Sequence, residues 1–240
     1  MFYYYYPIGT FNIVLIAAAI IPALFLMVRI YKIDHLEKES GSLLRKLVVA
    51  GILSSLIALV EERVLSYLLA NFVSYDSLAY NVILYFVVVA VSEESSKYLM
   101  LFRNSWNTPE FNCVFDGVVY AVFVSLGFAL WENISYVLNY GIYAAFARAL
   151  TAIPGHACFG VFMGVFYSAA KKYERYGDIS SMSICRFMAI LVPVLLHGSY
   201  DFIATMETDG FNYVFIIFVA ILFIASNLVV KRVVSNDHYM

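Results

Sequence analysis

Four short motifs place residues capable of acid–base or ligand chemistry within apolar stretches of this chain. In each motif two residues stand four positions apart, a spacing that puts both on one face of a helix. The pairs are Glu93 with Lys97, Phe128 with Glu132, His156 with Gly160, and His197 with Asp201. Ionisable groups are costly in hydrocarbon, so these motifs together predict one shared polar site inside a helix bundle.

The composition is that of a membrane protein. The 240 residues are 63% hydrophobic and 13% charged, whereas soluble globular domains are roughly 45–50% apolar and about 25% charged. Apolar windows of about 20 residues recur along nearly the whole chain, which predicts an all-α polytopic bundle that forms one domain over residues 1–240. We expect seven transmembrane helices, at 11–31, 47–70, 79–101, 117–137, 143–168, 187–206 and 212–230.

Charge predicts how the bundle is oriented. Lys and Arg residues cluster in alternate connections, whereas those around 71–78, 138–142 and 207–211 contain none. The positive-inside rule therefore predicts an N-terminus outside the cell membrane and a cytoplasmic C-terminus. Arg63 and Arg148 are the two basic residues that this scheme leaves unexplained.

Other broad classes find little support in the sequence. A net charge of −2 provides no basic surface, so no nucleic-acid partner is expected and the lipid bilayer is the main environment. No nucleotide or organic cofactor is expected either. Cys113, Cys158 and Cys185 fall in spans or on the cytoplasmic side, where thiols stay reduced, and we interpret them as bystanders.

The motif at 92–97 carries two adjacent carboxylates. Successive helical side chains point about 100° apart, so Glu93 and Glu94 face different neighbours and need not share one role. A carboxylate in a poorly solvated pocket can serve as a general base that activates water. A purely structural ion pair with Lys97 explains the same residues, and the sequence leaves both interpretations open.

Two further acidic positions are ambiguous. Glu132 in the fourth span fits either a site or the polar rim of that span. In the Glu61-Glu62-Arg63 run, Arg63 offers immediate charge compensation, and Arg148 could pair with the run as well. We interpret this run as structural, with Glu62 as the residue that could be an exception.

Two histidines follow prolines within apolar segments. Pro154 and Pro193 should bend their helices and free backbone carbonyls, so His156 and His197 are expected to border a wet cavity. A single histidine of this kind more often bonds between helices. His197 has Asp201 four residues later, the spacing with which a carboxylate orients an imidazole or joins it as a metal ligand.

Depth and helix packing allow these groups to meet. Gly160 and Gly164 have the small-xxx-small spacing that lets another helix approach closely. At about 1.5 Å of rise per residue, five polar groups from four spans fall within roughly 12 Å along the bilayer normal. These are Glu93, Glu132, His156, His197 and Asp201. Their shared depth permits a joint site but leaves the directions of the side chains undetermined.

The ordered motifs resemble those of the PrsW family of bacterial intramembrane proteases, part of the superfamily of CAAX prenyl proteases and bacteriocin-processing enzymes. They are Glu-Glu-x-x-Lys at 93–97, Phe-x-x-x-Glu-Asn at 128–133, His-x-x-x-Gly at 156–160 and His-x-x-x-Asp at 197–201. The similarity extends over residues 20–205. It implies a polytopic peptidase that cuts a membrane-anchored, single-span protein, typically an anti-sigma factor in regulated proteolysis.

The resemblance also implies roles for individual residues. The implied catalytic set is Glu93, Glu94, Glu132, His197 and Asp201, and the supporting set is Lys97, Asn133 and His156. We expect Glu93 to be the base, with its charge state set by Glu94 and Lys97. We expect His197, held by Asp201, to polarise the substrate carbonyl.

A metal-dependent version of this chemistry stays open. In that version zinc takes ligands from among Glu132, His156, His197 and Asp201 beside an open water position. No compact His-Glu-x-x-His motif occurs, so zinc is one option and not a requirement. CAAX proteases carry His where this chain has Glu132, and usually Asn where it has Asp201, which argues against prenylated substrates.

Three other functions place similar residues in a membrane. An ion- or proton-coupled transporter would have glutamates and histidines at mid-membrane beside broken helices, but no repeated half is visible. A haem protein with His156 and His197 as axial ligands would be coloured, and would leave the glutamates unexplained. An inactive scaffold would have lost motif residues, whereas all four motifs are intact.

Overall fold

The computed structural model describes residues 10–206 and 211–240 of the chain. The helices are α1 (Thr10–Ile33), α2 (Gly41–Phe72), α3 (Leu78–Val82), α4 (Ala90–Ser105), α5 (Asp116–Tyr140), α6 (Ile142–Leu150), α7 (Ala152–Arg175), α8 (Ile179–Ala204) and α9 (Phe211–Ser235). A π-helical segment, Ile83–Val89, joins α3 to α4. Residues 207–210 of the predicted connection at 207–211 lie outside the described part.

Within residues 10–206 and 211–240, seven helical segments are long and apolar enough to cross a membrane, which confirms the predicted number. They cover 13–33, 41–72, 78–105, 116–140, 142–175, 179–204 and 213–235. In residues 10–206 and 211–240 no strand forms, and the single extended contact is an isolated bridge between Cys113 and Tyr239. The protein is an all-α, multi-pass membrane protein.

The predicted fifth span at 143–168 is divided into two helices. The backbone breaks at Thr151, where φ is −123° and ψ is −69°, so α6 and α7 meet at an angle there. The predicted distortion of this span near Pro154 takes the form of a break instead of a bend, and Pro154 lies in the first turn of α7. A proline in a first turn removes no helical hydrogen bond, so it helps to start a helix.

The connection predicted between the spans 143–168 and 187–206 is mostly helical, including the polar stretch at 169–181. Helix α7 continues to Arg175 and α8 begins at Ile179, which leaves Tyr176–Asp178 as the turn. Gly177 adopts φ +74°, the left-handed conformation that suits glycine at a helix end. Asp178 then caps α8 by accepting a 3.0 Å hydrogen bond from the Ser181 N–H. Capping at both helix ends explains why this charged stretch shortens to a turn.

Helix α5 is the centre of the bundle and packs against α1, α2, α4, α6 and α7. The predicted close approach at the α7 glycines is confirmed. A Cβ at Gly164 would lie 2.5 Å from Gly117 O, and one at Gly160 would lie 2.8 Å from Ser125 Oγ. Small residues therefore bring the backbones of α5 and α7 together, and with them the polar residues on both helices.

The π-helical segment precedes the Glu93 motif. One π turn adds a residue per turn and rotates the side chains that follow, and such segments are frequent near functional sites. It packs against α8, where the Phe86 ring lies over Gly198 so closely that a Cβ at Gly198 would lie 2.5 Å from the ring. This contact sets the distance between the Glu93 helix and the His197 helix.

The end of the bundle that carries most Lys and Arg residues, the basic end, is closed by the C-terminal tail. Met240 N donates to Asn112 O at 2.7 Å, and Val114 N donates to His238 O at 3.2 Å. The Asp237 carboxylate accepts a 2.9 Å hydrogen bond from Phe115 N. The tail therefore pins the connection between α4 and α5.

Three buried carboxyl groups lie beneath this tail and form the acidic cluster: Asp34, Glu39 and Asp116. Burial, reinforced by the charge of Asp116, raises the pKa of Glu39 from 4.5 to about 9. Burial also raises the pKa of Asp34 from 3.8 to about 6, although Lys38 opposes the shift. The Tyr120 hydroxyl donates a 2.7 Å hydrogen bond to Glu39 Oε2. Within this cluster Glu39 keeps its proton at neutral pH, so it stays neutral without a cationic partner.

Candidate active site

A cavity of about 670 Å³, the polar cavity, opens between the central helices. Helices α2, α4, α5, α6, α7 and α8 all contribute to its wall. Its charged and imidazole side chains are Glu62, Glu93, Glu132, Arg148, His156, His197 and Asp201. Separate spans therefore bring ionisable groups to one place, as the motif spacing predicted.

The Lys97 ammonium lies at the centre of the cluster beside the cavity. Its Nζ donates to Glu93 Oε2 at 3.1 Å and to Glu94 Oε1 at 2.7 Å. It also lies 3.1 Å from His156 Nδ1 and 4.0 Å from the centre of the Phe128 ring. An ammonium can only donate, so His156 Nδ1 is the acceptor and the proton of this ring is on Nε2. Lys97 is fully buried, so these partners are its whole polar environment.

His156 continues the chain of contacts to a second ion pair. Its Nε2 donates to Glu132 Oε2 at 2.8 Å, and an Arg148 terminal nitrogen lies 2.8 Å from the same oxygen. Arg148 Nε donates to Asn133 Oδ1 at 3.0 Å, while Asn133 Nδ2 donates to Ala19 O at 2.8 Å. Charge-assisted contacts therefore link α1, α5, α6 and α7 at one level of the bundle.

His197 is held between carboxylates on both sides of its ring. Its Nδ1 lies 2.8 Å from Glu94 Oε1, and its Nε2 lies 3.3 Å from Asp201 Oδ2. Only the doubly protonated ring can donate to both partners at once. The Phe159 ring stacks on the imidazole at 4.8 Å between centroids, which fixes its plane.

The two adjacent glutamates occupy different environments. Glu93 borders the cavity, whereas Glu94 is fully buried behind it and bonds to both Lys97 and His197. The 100° step between successive helical residues produces this difference. Glu93 is thus the one of the pair that water in the cavity can reach.

The other predicted site residues fall near the cavity in two roles. Four of them border the cavity: Glu132, His156, His197 and Asp201. Lys97 and Asn133 do not border it, but each forms a hydrogen bond with a residue that does, Lys97 with His156 and Asn133 with Arg148. The three free cysteines lie away from this cluster, with Cys113 in the connection between α4 and α5.

The Glu61-Glu62-Arg63 run follows the prediction at Glu62, the expected exception, but not at Arg63. Glu62 borders the cavity, but Glu61 and Arg63 are exposed, and in the described ranges Arg63 forms no ion pair. Arg148, which could have paired with this run, pairs with Glu132. The sequence contains one indication of this pairing, because Arg148 is a basic residue that the positive-inside rule does not explain.

One group of metal-ligand type exists within residues 10–206 and 211–240. Glu93, Glu94 and His156 offer ligand atoms that all lie within 4.8 Å of one another, and this group shares only His156 with the predicted ligand set. The donor types suit zinc. However, Lys97 Nζ lies 2.7 to 3.1 Å from an atom of each. The ammonium fills the space between the donors and repels a second cation, so in this arrangement they do not fit a metal.

Comparisons with known proteins identify the family of the chain. A family model described as PrsW family intramembrane metalloprotease matches residues 39–226. The Protease PrsW of Oceanobacillus iheyensis is 32% identical over 222 residues, which cover 92% of this chain and 97% of the relative. The Protease PrsW of Clostridioides difficile is 34% identical over 209 residues, covering 85% of this chain and 84% of the relative.

The Protease PrsW of Bacillus subtilis is 38% identical over a shorter stretch of 121 residues, 50% of this chain and 54% of the relative. No solved structure matches the chain. The stretch matched by the family model contains all four motifs and every charged or imidazole residue of the cavity wall. The chain therefore belongs to the PrsW family of intramembrane metalloproteases and is a membrane protease.

Proposed function

We propose that the protein is an endopeptidase that cleaves a single-span membrane protein with a water molecule activated by Glu93. The observation that carries this proposal is the position of the Glu93 carboxylate. It borders the cavity while Lys97 holds one of its oxygens at 3.1 Å, so it is fixed beside a cation and reachable by water. These are the properties that a general base requires.

In the proposed reaction Glu93 removes a proton from water as the water oxygen attacks the substrate carbonyl carbon. The C–N bond then breaks, and the same carboxyl group returns the proton to the leaving amine. Glu94 and Lys97 act as positioning residues. An isolated carboxylate in a low-dielectric interior would take up a proton before the reaction, and the adjacent ammonium opposes this.

The negative charge that develops on the carbonyl oxygen needs a fixed donor. His197 is suited to this role, because its Nε2–H points to the side of the ring where Asp201 borders the cavity. The 3.3 Å contact from Nε2 to Asp201 is longer than the 2.8 Å contact from Nδ1 to Glu94. A substrate oxygen can share the looser donor while Glu94 keeps the ring in place.

The depth of the cavity indicates where the substrate is cut. At about 1.5 Å of rise per residue, Glu93 lies roughly 15 Å from Arg103 along α4, and Glu132 lies roughly 24 Å from Asp116 along α5. Both distances start at the basic end, so the site lies in the middle and far half of the membrane. With the predicted orientation, the bond to be cut lies in the outer half of a single span.

By the family resemblance, the proposed substrate is an anti-sigma factor. Such a protein links an outer segment to a cytoplasmic one through a single span, and cleavage in the outer half of the membrane would release that link. No other feature of the cavity selects a substrate sequence.

The test is a membrane cleavage assay with a candidate single-span substrate and two variants, Glu93→Gln and His197→Ala. We expect each variant to lose cleavage by at least about a hundredfold, the usual scale for a general base or an oxyanion donor. The matched control is Glu61→Gln, an exposed glutamate that does not border the cavity, and it should cleave like the unmodified protein. Full activity in Glu93→Gln would remove Glu93 from the role of base.

The same preparation tests the metal-dependent version. With Lys97 in its observed place, the purified protein should contain no stoichiometric metal and should keep its activity after chelation. One zinc per chain, together with loss of cleavage on chelation, would show that Lys97 moves aside and that Glu93, Glu94 and His156 bind the ion. Elemental analysis and the cleavage assay together distinguish these outcomes.

A further inference from the structure

A second polar feature lies on the outside of the bundle, between α1 and α9. A cavity of about 640 Å³ lies beside a smaller one of about 320 Å³, and both are bordered by Arg29, Ile33, Asn227 and Val230. We call the two neighbouring cavities together the α1–α9 groove. It shares no residue with the wall of the polar cavity.

The groove exists because α1 and α9 pack against the same helix. Both helices pack against α7, and α1 also packs against α5, but over their described residues α1 and α9 make little contact with each other. Near the basic end, Arg29 spans the space between them by donating a 2.8 Å hydrogen bond to Asn227 Oδ1. A gap between two membrane-spanning helices must be filled by something, and in a bilayer the available molecule is a lipid.

The mouth of the groove is strongly basic. Arg29 and Lys32 lie in the last two turns of α1, three positions apart and thus on one face, and Lys231 lies near the end of α9. All three side chains are exposed. Among the described residues, no Asp or Glu borders the groove, and none of these three cations forms an ion pair. Three positive charges therefore face the groove without compensation.

The rest of the groove is apolar and runs along the helices. Phe25 and Val28 line its outer part and are 65% and 51% exposed. Leu26, Pro154 and Phe223 line its inner part. A cationic mouth at the level of the lipid headgroups, above an apolar channel within the membrane, has the same polarity pattern as a phospholipid.

We propose that the α1–α9 groove is a binding site for one anionic phospholipid. Its phosphate lies among Arg29, Lys32 and Lys231, and an acyl chain follows the apolar channel. Basic pockets between transmembrane helices near the membrane surface select anionic headgroups. Arg29 adds a planar guanidinium suited to a phosphate. A zwitterionic phospholipid brings the same phosphate together with a positively charged group, so its headgroup adds no net negative charge beside the three cations, which is why the site selects for charge.

The site has a structural connection to the catalytic side of α7. The inner part of the groove is bordered by Pro154 and Ala157, and Ala157 directly follows His156. A bound acyl chain would therefore support the outer face of the turn whose inner face presents His156 to the polar cavity.

The test compares two triple variants of the full-length protein in mild detergent. The groove variant combines Arg29→Gln, Lys32→Gln and Lys231→Gln. The matched control combines Arg45→Gln, Arg103→Gln and Arg232→Gln, which removes the same charge from exposed residues at the same end, none of which borders the groove. Lys38 and Lys46 remain in both variants, so the first connection stays basic.

Native mass spectrometry measures retention of phosphatidylglycerol against phosphatidylcholine with the same acyl chains. We expect the unmodified protein and the control to prefer phosphatidylglycerol by at least tenfold. The groove variant should lose this preference, because each removed charge should lower the ratio of bound phosphatidylglycerol to phosphatidylcholine roughly fivefold. Equal retention of both lipids by the unmodified protein would overturn the proposal, as would an equal loss in the control variant.

A competition experiment addresses the acyl chain. Soluble glycerol phosphate carries the anionic headgroup chemistry without chains and should not displace phosphatidylglycerol. If it displaces the lipid at comparable concentration, the groove is a site for small phosphates and the lipid proposal is wrong. Thermal unfolding of the groove variant in phosphatidylcholine should match the unmodified protein in the same lipid, which shows that the variant is folded.

Discussion

The polar cavity and the acidic cluster both bury carboxyl groups, but they handle the charge in opposite ways. In the cavity, Glu93 and Glu94 contact the Lys97 ammonium, and Glu132 contacts the Arg148 guanidinium. In the acidic cluster, Asp34 and Glu39 form no ion pair with any described residue, and their pKa values rise to about 6 and about 9.

The difference indicates what the buried cations do for the carboxyl groups of this protein. A carboxylate that loses water without gaining a positive partner becomes neutral, and a neutral carboxylic acid can only hold structure together through hydrogen bonds. A carboxylate beside a fixed ammonium can stay charged at mid-membrane and take a proton from water. We infer that chemistry is confined to the region where the cations are.

Replacing the central cation should have the largest effect. Lys97→Met removes the shared partner of Glu93 and Glu94 and leaves two buried carboxylates facing each other. We expect the free energy of unfolding to fall by about 3–5 kcal/mol, the cost of breaking a buried ion pair on one side, and cleavage to be lost. Unfolding in denaturant and the cleavage assay measure the two effects.

The matched control for that variant is Lys171→Met. Lys171 has a single charged partner, Glu174, whose side chain is 35% exposed, and a pair with a partly exposed carboxylate contributes about 1 kcal/mol. If both lysine variants lowered the free energy of unfolding by the same amount, the fully buried lysine of the cavity would be no more important for stability than Lys171.

Arg148→Gln should have the next largest effect. Glu132 would keep its 2.8 Å contact with His156 but lose its cation, and Asn133 would lose a charged donor. Hydrogen bonds to charged groups contribute about 1.5–3 kcal/mol, so a loss of about 2 kcal/mol in unfolding free energy is expected, with reduced cleavage. Arg148→Lys keeps the charge and should fall between Arg148→Gln and the unmodified protein.

In the acidic cluster, Tyr120→Phe should lower the free energy of unfolding by less than Arg148→Gln does. It removes the hydroxyl that donates to Glu39 Oε2 at 2.7 Å, and Glu39 is protonated at neutral pH. A neutral buried hydrogen bond contributes about 1 kcal/mol, so a loss of that size in unfolding free energy is expected. Cleavage should be unchanged, and a large loss of cleavage would show that the cluster is connected to the catalytic site.

Glu39→Gln should have the smallest effect below about pH 4.5, where Glu39 is protonated in both the folded and the unfolded chain. Glutamine resembles the protonated acid in shape, so the free energy of unfolding should change little there. At pH 7 the folded protein keeps the Glu39 proton while the unfolded chain has lost it, so the variant should be more stable than the unmodified protein.

The pH dependence of stability gives a sharper test of the same residue. Between pH 4.5 and about 9 the folded protein retains the Glu39 proton while the unfolded chain has lost it, so stability falls as pH rises through this window. Glu39→Gln should flatten that decline. The exposed Glu37→Gln is the control and should keep it. A slope unchanged by Glu39→Gln would mean that this carboxyl is charged when folded.

The sequence predicted much of this architecture from local patterns. Apolar windows gave the seven spans, because a span must be apolar over its whole length whatever its neighbours are. The break at Thr151 and the helical stretch at 169–181 were missed, because helix ends depend on capping contacts and turn geometry that hydropathy does not report. The spacing of Gly160 and Gly164 predicted a close helix contact, because only small residues permit one.

The sequence by itself determined which residues could not be there by chance: charged and imidazole groups placed in apolar helices at shared depth. Only the tertiary structure decided which of them meet. It put Lys97 between Glu93, Glu94 and His156, and it paired Glu132 with Arg148. The physical reason is that spacing along one helix fixes a shared face within it, whereas a contact between helices depends on how each one is rotated and packed, which no single segment encodes.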